Sequence, residues 1–309
     1  MTIGWQGVFP AVTTQVRADY SLDITDTQRV VDDLVNDGVT GVIALGTVGE
    51  NNSLTFEEKV TMLTAIVEAV DGRVPVITGV SEYDTRRAVE YAQAAEKAGA
   101  DGLMLLPPMV YVPKPHELAL HFRGVAEKTA LPIMLYNNPP AYRTSITNEV
   151  LEMLLDVDNI VAVKESAPDT RRFTDLRNSF GDRYVLFAGL DDVALEGLYL
   201  GAQGWVSGLT NAFPRESVEL VHAFARGDHA KAMEIYRWFM PLLHLDAEHD
   251  LVQSIKLAEQ VMGRGSERVL PPRYPLEGAR RAEVIAMVEQ AAATRPTLTP
   301  ATPVVEEVA

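Results

Sequence analysis

Residues 36–42 read NDGVTGV: a glycine, two turn residues, a second glycine and the start of an apolar run. KAGADGL at 97–103 and LGAQGWV at 200–206 repeat that spacing, each after a segment of helical periodicity. Glycine just past a last helical turn accepts the left-handed backbone that closes a helix, so each copy reads as a short loop from helix to strand. Using one such joint three times is the mark of repeated βα units.

Outward from these joints, apolar runs at 7–13, 40–46, 74–80, 101–107, 131–137, 160–166, 184–190 and 204–208 are strand candidates. Helical spacing occurs near 26–36, 55–70, 84–98, 115–129, 147–155, 170–179, 191–200 and 214–226. Eight strands, each followed by a helix, predict an α/β fold of the (β/α)8 TIM barrel type; an open doubly wound sheet usually has fewer strands. Thr55-x-x-Glu58 and Thr147 supply helix-start signals in the expected places. Two more helices are expected over 228–262 and another near 278–293, after a proline and glycine linker. The barrel is therefore assigned to 1–227 and a C-terminal helical extension to 228–293. The tail at 294–309, TRPTLTPATPVVEEVA, has little to bury and is expected to be flexible or to lie along a neighbouring subunit.

Composition narrows the function. The 309 residues carry a net charge of −16 and a pI near 4.8, which argues against nucleic acid or an anionic membrane surface as partner. Without cysteine there is no disulfide framework and no thiolate nucleophile, which fits a reducing, cytoplasmic location. The N-terminus lacks the pattern of a signal peptide, and no apolar run approaches the roughly 20 residues needed to span a bilayer.

In a barrel of this type function belongs at the C-terminal ends of the strands. Those ends include Gly46-Thr47-Val48-Gly49-Glu50, Tyr136-Asn137-Asn138-Pro139, Lys164-Glu165-Ser166, Gly189-Leu190-Asp191-Asp192 and Ser207-Gly208. IVAVKESAPD at 160–169 is the sharpest of them, because a lysine completes a run that would otherwise be an ordinary buried strand. An ammonium group in a dry site drifts toward the neutral, nucleophilic amine. Side-chain alternation turns Ala162 and Lys164 inward, and likewise Met134 and Tyr136. The competing reading is a salt bridge at the barrel mouth, between Lys164 and Glu165 or an aspartate. Tyr136 could act as a general acid or base, or merely hydrogen-bond for structure. GTVGEN at 46–51 can aim backbone N–H groups at a carboxylate but lacks the Gly-Lys-Ser/Thr of a phosphate loop. HLDAEHD at 244–250 raises a metal site, yet His244 and His249 share a helix face poorly, so no metal is expected.

Taken in order, GTVGE (46–50), YNNP (136–139), VKES (163–166), GLDD (189–192) and WVSG (205–208) resemble the dihydrodipicolinate synthase/N-acetylneuraminate lyase superfamily of class I aldolases, over about residues 5–262. The resemblance implies that Lys164 forms a Schiff base with a 2-oxo acid, with no metal or organic cofactor. It implies a proton shuttle at Tyr136 assisted by Thr47. It further implies a carboxylate site at Gly46 and at the Thr47 and Val48 amides, a lining from Gly189, Val206 and Ser207, and a homotetramer built as a dimer of dimers.

Departures from the family pattern bear on the substrate. Val48 stands where the synthases usually carry a second threonine. Val110 occupies the position of a relay tyrosine contributed by a neighbouring subunit, with Tyr111 adjacent. Ala141 replaces the arginine that binds the distal carboxylate, and Arg143 lies two positions on. Tyr111, Asn138, Arg143 and Asp191 are thus candidates to meet the distal part of the substrate. GTVGEN, YNNPPAY, DTRRFTDLRN, FAGLDD and HLD…LVQ…KL resemble a catabolic branch acting on 2-oxo acids or cyclic imines. The first expectation is a 1-pyrroline-4-hydroxy-2-carboxylate deaminase, followed by a 2-keto-3-deoxy sugar acid aldolase or dehydratase. The lysine-pathway synthase follows, with a metal-dependent aldolase or a non-catalytic 2-oxo acid sensor as readings from other classes.

Overall fold

A computed structural model describes residues 4–298 of the chain. Eight parallel strands run β1 (Gly7–Pro10), β2 (Val42–Ala44), β3 (Val76–Val80), β4 (Gly102–Leu105), β5 (Ile133–Asn137), β6 (Ile160–Glu165), β7 (Val185–Ala188) and β8 (Gly204–Ser207). Their order is β1-β8-β7-β6-β5-β4-β3-β2, and the parallel bridge Ala11–Ile43 brings the two ends together, so the chain is a (β/α)8 barrel. Each strand is shorter than its apolar run, which begins before the strand in β3 and β5, continues past it in β1, β6 and β8, and does both in β2, β4 and β7.

The repeated joint works through both of its glycines. Gly38, Gly99 and Gly201 have φ of +97°, +89° and +104°, the left-handed backbone that ends a helix. The second glycines give space instead. A Cβ on Gly41, Gly102 or Gly204 would fall 2.1, 2.5 or 2.3 Å from the rings of Phe9, Trp5 and Phe187, which fill the barrel interior there.

Around the barrel lie α1 (Ile24–Asn36), α2 (Phe56–Val70), α3 (Thr85–Lys97), α4 (Pro115–Ala126), α5 (Pro139–Tyr142), α6 (Asn148–Glu152), α7 (Arg171–Phe180), α8 (Ala194–Tyr199) and α9 (Pro214–Ala225). Thr55 and Glu58 form a reciprocal capping box on α2, and Thr147 caps α6 by accepting from the Val150 N–H. The four-residue α5 is additional to the helices read from periodicity, being too short to show any. Beyond the barrel come α10 (His229–Leu243), α11 (Leu251–Val261) and α12 (Gly278–Ala293). No helix among the described residues is long and apolar enough to cross a membrane. Most of the expected tail, residues 299–309, lies outside the described residues.

α11 is not an appendage. Its Lys256 is fully buried and donates to the Thr14 carbonyl (2.8 Å) and to Glu50 Oε2 (3.0 Å) at the mouth of the barrel. Glu50 Oε1 also accepts from the Leu270 N–H at 2.8 Å. One turn on, Glu259 accepts from the Thr13 hydroxyl. The acidic residue of the GTVGE turn thus ties the extension to the barrel.

Candidate active site

β5 and β6 are paired in a register that sets Tyr136 beside Lys164. Both are buried, and the Lys164 Nζ lies 3.8 Å from the centroid of the Tyr136 ring, over its face. The salt-bridge alternative with Glu165 is not what the chain forms. Glu165 turns to the other side of the strand, where it accepts from Asn137 Nδ2 (2.8 Å), the Ala167 N–H (2.8 Å) and Arg172 Nε (3.4 Å).

Lys164 and Tyr136 face a cavity of about 90 Å³ whose wall includes Gly46, Thr47, Val48, Tyr142, Gly189 and Asp246. Burial lowers the pKa of Lys164 below its ordinary value, against the opposing charge of Asp246, Tyr142 and Asp191. Burial likewise pushes Tyr136 up to about 12, opposed by hydrogen bonding from Asn138 and by the Ser166 and Tyr142 hydroxyls. An amine whose pKa is lowered, beside a phenol whose pKa is raised, sets a nucleophile next to an acid.

Gly189 is required for space. A Cβ there would lie 2.8 Å from Cγ and Cε of Lys164 and 2.1 Å from Ser166 Oγ. At the second strand end, the Thr47 and Val48 N–H groups donate to no other group among the described residues, and both residues line the cavity, so two donors are free for an anionic guest. Val206 lines the wall as well.

The remaining candidates divide. Asn138 reaches the site: its amide donates to Tyr136 Oη at 3.0 Å. Ser207 does not, because its fully buried hydroxyl donates to Asp191 Oδ2 (3.2 Å), leaving Val206 and Gly208 as the wall at that strand end. Asp191 is not a distal-group contact within this chain either. Its carboxylate is held beneath the wall by Trp205 Nε1 (2.9 Å), Ser207 and the Leu209 N–H (2.9 Å). Tyr111 is more than half exposed and donates to Glu117 at 2.7 Å, outside the cavity. Arg143, in the left-handed conformation that ends α5, is exposed and also absent from the wall.

Two polar residues of the cavity, Tyr142 and Asp246, are not marked by the motifs. Tyr142 hydrogen-bonds Thr47 at 2.8 Å and meets the Tyr136 ring edge-on at 5.6 Å. Its signal was the last letter of YNNPPAY, but only the α5 turn brings it back over Tyr136. Asp246 comes from HLDAEHD, the stretch weighed as a metal site. It sits in a short 3-10 turn after α10, and its Oδ2 accepts from the Asp191 N–H at 3.3 Å. Burial pushes Asp246 up to about 6, while the Lys164 charge opposes the shift. The two histidines of that stretch go elsewhere: His244 bonds the Asp192 carboxylate at 3.0 Å, and His249 is exposed.

Known proteins share this arrangement of chain and fold. The sequence model of the dihydrodipicolinate synthetase family matches residues 4–291. The 4-hydroxy-tetrahydrodipicolinate synthase of Methanothrix thermoacetophila is 33% identical over 281 residues, covering 91% of this chain and 95% of the relative. That of Neisseria meningitidis serogroup C is 32% identical over 284 residues, covering 92% and 98%. Among solved structures, a prophage protein of the dihydrodipicolinic acid synthase family from E. coli K12, in complex with pyruvate, superposes with a TM-score of 0.89 at 31% identity over 94% of this chain and 99% of that one. With a buried strand-end lysine, its tyrosine neighbour and a match over nearly the whole length, the chain belongs to the dihydrodipicolinate synthetase family of Schiff-base lyases.

Proposed function

We propose that this enzyme works without metal or organic cofactor, forming an imine between Lys164 and a 2-oxo acid or its cyclic imine, with 1-pyrroline-4-hydroxy-2-carboxylate as first-choice substrate and deamination as the reaction. The observation that carries the Schiff-base chemistry is the buried Lys164 amine held 3.8 Å over the Tyr136 ring in the cavity at the strand ends. The free Thr47 and Val48 amides would take the carboxylate next to the reacting carbon. Attack by Lys164 on the ring imine breaks the ring C–N bond, giving a Lys164 imine and a free primary amine. A proton leaves the carbon beside the imine and the hydroxyl departs as water, the product tautomerises to a terminal imine, and hydrolysis of the two imines releases ammonia and frees Lys164.

The charge of the wall supports a substrate without a second carboxylate. Among the described residues Lys164 is its one cation, Asp246 its anion, and Ala141 stands where a distal carboxylate would need an arginine. An iminium nitrogen or a hydroxyl suits Asp246 better than another anion does. Hydroxyls also suit a 2-keto-3-deoxy sugar acid, the second reading. The curated relatives' names favour the synthase of lysine biosynthesis, and the alanine weighs against it. We further propose a homotetramer, for which exposed Val110, Tyr111 and Val112 offer an apolar contact.

Borohydride reduction in the presence of pyruvate and other 2-oxo acids should add a reduced adduct at Lys164 and none in Lys164→Ala. Absence of an adduct with every 2-oxo acid would remove the Schiff-base reading. A turnover screen over the hydroxyproline-derived imine, keto-deoxy sugar acids, and pyruvate with aspartate semialdehyde separates the substrates.

A further inference from the structure

Tyr136 needs a route by which its hydroxyl proton is lost and restored, and the chain leaves it few. Asn138 is fixed in orientation, since its Oδ1 accepts from the Ala141 N–H (3.1 Å) while its Nδ2 donates to Tyr136 Oη. An amide so held can steady a phenol or phenolate but cannot pass a proton on. Tyr142 is placed for that task. α5 begins at Asn138, whose carbonyl accepts the Tyr142 N–H at 3.0 Å, so the residue that holds Tyr136 also sets the position of Tyr142. The Tyr142 hydroxyl then meets Thr47 at 2.8 Å, inside the same cavity as Lys164.

We propose that Tyr142 is the second hydroxyl of the proton relay, so that Thr47, Tyr142 and Tyr136 form a complete relay within a single chain; the inference rests on the Schiff-base reading of Lys164. The neutral amine adds to the keto carbon, and one proton moves from nitrogen to the former keto oxygen through the hydroxyls. Tyr136 then gives its proton to that oxygen, which leaves as water, so that a protonated imine and a Tyr136 phenolate remain. The phenolate next takes a proton from the substrate carbon beside the imine, giving the enamine and restoring the phenol. Tyr142, donating to Tyr136 while accepting from Thr47, stabilises the phenolate between the two steps. Tyr111, the other tyrosine suggested by position, is occupied outside the cavity by Glu117, whose carboxylate also accepts the Lys114 N–H at the start of α4 (2.8 Å).

The test uses pyruvate as probe and follows exchange of its methyl protons in D2O, which reports enamine formation, alongside borohydride trapping at Lys164. Tyr142→Phe should keep the wild-type fold by circular dichroism and still trap at Lys164, but exchange about 10²-fold more slowly. The loss should fall on the maximal rate rather than on the half-saturating pyruvate concentration. The alkaline limb of its pH profile should move upward, because Tyr136 loses a hydroxyl that favours its ionised form. Tyr111→Phe should exchange like the wild type. A Tyr142→Phe enzyme that exchanges as fast as the wild type, or a Tyr111→Phe enzyme equally impaired, overturns the proposal. If the wild-type enzyme itself traps no 2-oxo acid, the Schiff-base reading fails instead, and the two failures are told apart by that measurement.

Discussion

Gly189→Ala tests whether the position of Lys164 depends on an empty Cβ. The added methyl would lie 2.8 Å from Cγ and Cε of Lys164 and 2.1 Å from Ser166 Oγ, whereas ordinary contact begins near 3.4 Å. The lysine stem must therefore retreat by about 0.6 Å and the serine hydroxyl by about 1.3 Å in a close-packed interior. Gly189 is not among the glycines with positive φ, so alanine brings no backbone strain and the effect is steric alone. Overpacking of this kind costs about 1–3 kcal/mol of stability, and misplacing a reacting group by ~1 Å costs on the order of 10²-fold in rate. We expect a protein that remains folded, melts several degrees lower and forms the borohydride-trapped pyruvate adduct about 10²-fold more slowly. Gly46→Ala is the control for stability, since its nearest neighbour would be the flexible Met104 Cε at 3.4 Å, and its melting temperature should stay close to the wild type. Trapping by Gly189→Ala at the wild-type rate would refute the claim that the lysine is held by this contact.

Two other substitutions probe the join between α11 and the barrel. Lys256→Met leaves the fully buried Glu50 carboxylate with only the Leu270 N–H, a loss of about 3–5 kcal/mol in urea unfolding. Adding Glu50→Gln should recover part of it, and a single variant as stable as the wild type would contradict the pairing. Glu259 is pushed up from 4.5 to about 7 by burial, so the folded state holds its proton more tightly than the unfolded chain. The associated stability is complete below about pH 4.5 and is lost as the pH rises through 7, by about 3 kcal/mol in all. Glu259→Gln removes this titration, so the wild type should lose stability relative to the variant between pH 4.5 and 7; parallel curves would count against a buried, protonated Glu259.

Much of this protein is written in local sequence. The joint at 36–42 names the fold because its glycines answer to local conditions: one to a backbone angle, the other to an aromatic ring in the barrel. Lys164 and Tyr136 were legible for the same reason, since alternation along a strand decides which side chains face inward and the strand end decides how deep they sit. Chain order supplied Gly46, Thr47, Val48 and Gly189 as well.

Tertiary structure decided what no period or spacing encodes. Asp246 reaches the cavity because α10 carries its turn across the barrel mouth, far in sequence from Lys164. Tyr142 reaches it because a four-residue helix reverses the chain. Conversely, Ser207 and Asp191 sit at strand ends like true lining residues, yet they satisfy each other below the wall, and Arg143, itself the left-handed residue that ends α5, is exposed outside it. Local sequence fixes which face a strand residue takes, through geometry repeated every two residues. Which loops meet above the barrel depends on how distant helices pack, and that is where the charge of the cavity, and with it the choice of substrate, is set.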